Sequence, residues 1–307
     1  MFGDINSIDV QAVNQVFFNN LNSAEGIEKI ASVTGNFIHM KLREEGFARR
    51  IIPPVPVTPE DCTRSTEHDG LVKIYDIEPN SAAFAVNFNS RAPTRYIQGK
   101  RYAVPFQKIE TEPFVKNEME LLSSQYPICQ LIQENSLKDI QEAEDQVFLS
   151  YAQAATEVTG KQIINTTDKA VNRTNINQLF KLIDGDRLQN FINLMTNVDW
   201  DDWLIQPATE IGSTLASEIT TNGYKFDKIL DRRVIVTNKT NLLKPGEFFG
   251  FTAPNYLGNF NTLGQARFDI KKTKDVIEWC VWHHIGLGIG NIRACSYMKL
   301  KSVEESA

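Results

Sequence analysis

The stretch Tyr102-Ala103-Val104-Pro105-Phe106, continued by Ile109-Glu110-Thr111-Glu112 and Glu118-Met119-Glu120-Leu121 and ending in Glu144-Asp145-Gln146-Val147-Phe148, decides how this chain is read. It passes from strand to helix. Arg101 to Phe106 is dense in β-formers. From Ser136 the apolar positions fall at helical spacing, with Leu137, Ile140, Val147, Phe148, Tyr151, Ala155 and Val158 on one stripe and Lys138, Glu142, Asp145, Gln146 and Gln153 facing away. Ser136 and Asp139 form a capping-box-like start, and Gly160 is placed to end the helix in the left-handed conformation. The span 136–160 makes a rod about 36 Å long at about 1.5 Å per residue.

Upstream, Leu71–Ile77, Ala83–Phe88 and Arg101–Phe106 read as strands, the first two with apolar side chains at period two (Val72/Ile74; Phe84/Val86/Phe88). Between the second and third lies a turn-rich segment carrying Arg91, Arg95, Lys100 and Arg101. An isolated ribbon is marginal in water and must pack on something, which here points to another chain. Before it, Pro53, Pro54, Pro56 and Pro59 impose an extended course on residues 49–59, a strap along another surface. Residues 1–45 hold one short helical pattern (Ile27, Ile30, Ala31, with Ser23 as cap) and read as an arm.

Downstream, helices are expected over Asn175–Asp184 and Ala208–Thr221, the latter stopped by Gly223. Strands are expected over Arg233–Thr237, Glu247–Phe251, Val276–Trp282 and Ile292–Leu300. Helices and strands interleave without a βαβ rhythm, so the class is α+β.

The 307 residues are 42% hydrophobic and 23% charged, with a net charge of −6, an ordinary folded composition. The acidic balance disfavours a protein that coats nucleic acid, which needs clustered Lys and Arg. Met1-Phe2-Gly3-Asp4 lacks the order of a signal peptide and no apolar run suits a membrane helix, so the chain reads as cytosolic. Cys62, Cys129, Cys280 and Cys295 are scattered and read as free thiols. Gly160-Lys161 fails the phosphate-loop pattern, and no Gly-x-Ser-x-Gly elbow occurs. Gly286-Leu287-Gly288-Ile289-Gly290 misses the dinucleotide spacing and reads as a turn or closely packed strand. His283 and His284 fall on opposite faces of a strand, and His284 sits about 13 Å from Cys280 at roughly 3.3 Å per residue, too far for one metal. Asp199-Trp200-Asp201-Asp202-Trp203 lacks the glycine and terminal glutamate of a calcium loop and reads as an acidic loop. No catalytic residue, metal or cofactor is expected.

This order of elements resembles the major capsid protein of tailed phages, the Hong Kong 97 fold. Gly246-Glu247-Phe248-Phe249-Gly250 and Ile285-Gly286-Leu287-Gly288-Ile289-Gly290-Asn291-Ile292-Arg293-Ala294 add to the likeness. The resemblance implies an N-terminal arm (1–48), an E-loop hairpin with its proline strap (49–110), a peripheral domain with the spine helix (111–180), a mainly axial domain (181–260) and peripheral return strands (261–307). It implies self-assembly into pentamers and hexamers of an icosahedral shell that encloses double-stranded DNA without reading its sequence. The location would be the virion capsid, after synthesis in the host cytoplasm. Separate scaffolding, portal and decoration proteins are further implied partners, because residues 1–45 are too short for a fused scaffold. The E-loop tip, with Arg91, Arg95, Lys100 and Arg101, would contact a neighbouring subunit. The lysine–asparagine–glutamate trio that crosslinks some members does not map here, Lys100 being a donor by position alone. An encapsulin-type compartment shares the fold and is the alternative. An enzyme using Asp199, Asp201 and Asp202 is the reading from a different class.

Overall fold

The computed structural model describes residues 44–64, 70–79, 82–94, 96, 99–117, 119, 128–164, 171–204 and 228–301. The expected arm helix near Ile27, the helix over 208–221 and Arg95 lie outside those residues. In chain order, α1 (Phe47–Ile51), β1 (Val55–Val57), β2 (Thr63–Arg64), β3 (Leu71–Ile77), β4 (Lys100–Pro105), β5 (Gln107–Glu110) and β6 (Phe114–Asn117) precede the long helix α2 (Ile128–Thr159). There follow β7 (Gln162–Ile164), α3 (Arg173–Asp184), β8 (Ile192–Thr196), α4 (Asn197–Leu204), β9 (Lys228–Ile229), β10 (Arg232–Thr237), β11 (Glu247–Phe251), α5 (Pro254–Leu257), β12 (Gly258–Thr273), β13 (Val276–Ile289) and β14 (Cys295–Lys299). The class is α+β.

Three sheets form. The first runs β1-β12-β13-β5, with β6 also on β13; the second runs β7-β14-β11-β8-β10-β9; the third is the ribbon β2-β3-β4. The second sheet is covered on both faces, which is why β8 is buried at every position. On one face Ile192, Leu194, Phe249, Phe251 and Tyr297 join Phe148, Ala152 and Ala155 of α2 and Phe260, Ile285 and Leu287 of the first sheet. On the other, Met195, Val234, Phe248 and Met298 meet Ile176, Leu179 and Phe180 of α3. The spine helix therefore lies over the junction of two sheets, and its buried line runs Ile140, Glu144, Phe148, Ala152 at intervals of four.

Several expectations need correction. The helix begins at Ile128, not Ser136. No proline or glycine interrupts residues 128–136, so nothing stops the helix there, and Ser136 is buried inside it. At 32 residues it is about 48 Å long. Asp145 does not face away: it is completely buried, whereas Val158 is 77% exposed. Residues 82–87 are not a strand. The β3–β4 ladder ends at Ile77↔Lys100, and a segment without a partner has no ladder to join. Residues 49–51 belong to α1, and the proline strap becomes extended only after Ile52; its Val55–Val57 pairs in parallel with β12 of the same chain. The acidic stretch is helix α4, and residues 292–294 form a 3-10 turn before β14. Gly160 ends α2 with φ +67°, as expected.

The deciding stretch and the glycine repeat explain each other. A Cβ on Gly286 would come 3.1 Å from the Phe106 ring, on Gly288 2.9 Å from Val104 Cγ2 and on Gly290 2.9 Å from the Tyr102 ring. Gly286 and Gly288 of β13, with Gly290 just after it, make a smooth strip on which the ribbon's base lies in close contact. Tyr75 stacks on Tyr102 with centroids 5.5 Å apart, and its hydroxyl donates to Asn261 Oδ1 at 2.6 Å. Gly288→Val should push Val104 off this strip and lower subunit stability by about 1–3 kcal/mol. Denaturant unfolding checks this, and an unchanged midpoint would contradict the close fit.

Candidate functional site

Two features stand out: an exposed arm and a buried ionic anchor at the middle of the spine helix. The arm continues from β3 and β4 into the described residues 78–79, 82–94, 96 and 99. Its apolar side chains face solvent: Ile74, Ile77, Phe84, Val86 and Tyr96 are exposed, and Phe88 is 109% exposed. Arg91 is exposed within this segment, and Lys100 is exposed at the start of β4. Arg101 donates through Nε to Asp76 Oδ1 at 2.6 Å across the ribbon, so its charge is matched locally. The structure thus places Arg91, Lys100 and Arg101 on one arm but gives them no shared partner. Beside the ribbon's base, a recess of about 260 Å³ lies against α2, with Glu110, Glu112 and Asp139 next to Ile109, Phe114 and Ile140.

The anchor joins residues 44–51 to α2 and to the end of β10. Asp145 accepts from the backbone N–H groups of Phe47 (3.2 Å) and Ala48 (2.8 Å) and from Lys239 Nζ (2.6 Å). Its carboxylate thereby satisfies the opening N–H groups of α1, which has no capping side chain of its own. Glu144 takes Arg49 through Nε (2.7 Å) and the terminal nitrogen (2.8 Å), a two-pronged pair. His283 Nδ1 lies 3.9 Å from Glu144, and its Nε2 is 3.2 Å from the Gly264 carbonyl, which fixes the proton on Nε2. Gln141 accepts from the Gly46 N–H, and Glu44 accepts from Thr237 and from the Asn238 N–H. Phe47, Ala48 and Ile51 are fully buried beneath this network.

Burial opposes ionisation of Glu144, yet the two-pronged Arg49 contact holds its pKa below the ordinary 4.5. Burial pushes Asp145 up to about 6, against the pull of Lys239 and the two N–H groups. A carboxylate with a depressed native pKa contributes stability that is present above its unfolded pKa and lost as pH falls through the native one. Glu144 should therefore cause an acid-dependent loss below about pH 4.5. Comparing urea midpoints of the wild type and Glu144→Gln from pH 7 to pH 3 isolates this, because Asp145 is common to both. The difference between them should shrink as pH falls; a constant difference would contradict it.

Other marked residues have structural roles. Asp199 accepts from the Thr196 hydroxyl (2.6 Å) and the Gly246 N–H (2.9 Å), tying α4 to the turn before β11. Burial raises its pKa. This carboxylate is used within the fold, not in an open acidic loop. His283 points inward and His284 outward against Trp282, the alternation the sequence implies. Among the described residues, no group of three His, Cys, Asp or Glu could hold a metal, and no helix is long and apolar enough to cross a membrane. Cys62, Cys280 and Cys295 are free thiols.

Sequence reading missed the anchor. The available signal was a carboxylate on a buried line: Glu144 stands between Ile140 and Phe148 at helical spacing.

No protein-family model and no curated protein matches the chain. Solved structures do. A chain of Microbacterium phage Oxtober96 superposes with a TM-score of 0.63 at 8% identity, over 91% of this chain and 98% of that one. The capsid structure of the cyanophage P-SCSP1u gives 0.61 at 10% identity over 92% and 96%. The capsid of a native GTA particle gives 0.59 at 12% identity over 91% and 98%. The chain thus has a Hong Kong 97-like capsid fold, as its element order implied.

Proposed function

From the Hong Kong 97-like capsid fold, we propose that this chain is a major capsid protein of a tailed phage. It assembles through pentamers and hexamers into an icosahedral shell enclosing double-stranded DNA, and its role is structural, not enzymatic. The observation that carries this is the match of nearly the whole chain to nearly the whole of solved capsid chains at TM-scores near 0.6. The domain division follows the same reading: arm 1–48, E-loop 49–110, peripheral 111–180, mainly axial 181–260 and return strands 261–307.

The exposed arm supports self-association. Phe84, Val86, Phe88 and Tyr96 project from a ribbon with no local core, and such surface calls for a cover. In this reading a second copy supplies it, with Arg91, Arg95 and Lys100 at the tip facing acidic groups of the neighbour. The recess beside Glu112, Ile109, Phe114 and Ile140 has an apolar lining and an acidic rim to receive a cationic, aromatic tip, Glu110 being paired with Lys108 within the chain. An exposed ion pair is worth at most about 1 kcal/mol, whereas burying a phenylalanine is worth about 2 kcal/mol. Apolar cover therefore sets the strength of the contact, and the cations set its register. The net charge of −6 suits a wall that confines DNA and does not adhere to it. Scaffolding, portal and decoration proteins would be separate partners.

The test is assembly of the expressed chain followed by sedimentation velocity. Fast-sedimenting closed particles are expected, with the variant Arg91→Glu/Arg95→Glu yielding few of them while keeping the subunit's thermal midpoint. Normal particle yield from that variant would remove the role given to the tip.

A further inference from the structure

We propose that one ordered water molecule is built into the second sheet beside Gly250, held by Asn190, Asn193 and Ser296. Asn193 of β8 pairs with Gly250 of β11, and Gly250 pairs with Ser296 of β14, so the three lie in one row across three adjacent strands. The row faces α3, on the same side as Met195, Phe248 and Met298. Asn190 enters the group from the segment before β8. Its backbone N–H donates to Asp184 Oδ1 at 2.9 Å, and Asp184 is held by Arg232 at 2.7 Å.

Asn190, Asn193 and Ser296 are 0%, 2% and 0% exposed. Among the described residues, Oδ1 and Nδ2 of both asparagines and Oγ of Ser296 have no hydrogen-bond partner. Three of these atoms converge: from the point a Cβ on Gly250 would occupy, Asn190 Nδ2 is 2.5 Å away, Ser296 Oγ 2.6 Å and Asn193 Oδ1 3.4 Å. Buried polar groups of this kind are met by a partner or by ordered water. The set offers an amide donor, an amide acceptor and a hydroxyl of either sense, so the occupant both donates and accepts and carries no charge. Glycine at 250 follows, since a methyl group there would intrude among the three polar atoms. The site is independent of assembly, so its test stands apart from that of the proposed function.

The experiment is an experimental structure of the subunit or particle at a resolution that shows ordered water, together with thermal unfolding of the subunit. A density peak within hydrogen-bond distance of at least two of the three side chains is expected. Direct bonds among the side chains with no peak would overturn the proposal. Ser296→Ala separates the two cases in solution. If the hydroxyl holds water, its removal lowers Tm by roughly 2–4 °C. A Tm that is unchanged or raised, as for deletion of an unpaired buried hydroxyl, would overturn the water site.

Discussion

Asp145→Ala should lower the unfolding free energy of the unassembled subunit by about 3–5 kcal/mol. The large figure follows from what the change leaves behind. Lys239, only 8% exposed, loses the carboxylate 2.6 Å away. The Phe47 and Ala48 N–H groups lose their acceptor in a fully buried setting. Removing one partner of a buried pair costs far more than replacing the pair, so Asp145→Leu with Lys239→Met should recover a substantial part of the loss. Urea unfolding of the single and double variants checks this. A loss under about 1 kcal/mol in the single variant would place the anchor among ordinary surface pairs.

Phe84→Ser with Phe88→Ser should abolish closed particles while leaving the subunit's Tm nearly unchanged. Both side chains are exposed in the subunit, so the fold loses little. In the proposed shell each is covered by a neighbour, and losing two such burials at about 2 kcal/mol each weakens a contact about a thousand-fold. This exceeds the expected effect of reversing the tip charges, which gives the ranking a direct check: particle yield should fall further for the serine pair than for Arg91→Glu/Arg95→Glu. The reverse order would show that charge, not apolar cover, holds the arm.

Much of this architecture is legible in the sequence because local rules decide it. Leu71–Ile77 and Glu247–Phe251 are read to the residue from β-formers bounded by turn signals, and Gly160 marks the end of the spine through its left-handed backbone. The repeat Gly286-x-Gly288-x-Gly290 announces a close approach, though not that Tyr102, Val104 and Phe106 make it. What stays hidden depends on distant partners. Asp145 looks like an outward polar residue until Lys239 and α1 are brought to it across more than ninety positions. Ala83–Phe88 has the alternation of a strand, yet alternation cannot supply the neighbouring ladder that a strand requires. Arg91 and Lys100 were legible as a cationic tip, but the apolar side chains beside them carry more of the expected binding energy.

In the proposed function, copies of this chain close into a shell. Electron microscopy of the expressed chain, with a scaffold protein supplied in a parallel expression, measures it most directly. Closed particles are expected, with a surface that resolves into five-fold and six-fold clusters of subunits joined by arms lying across their neighbours. A monomer or dimer that stays small across a range of salt concentrations, with and without scaffold, would contradict it.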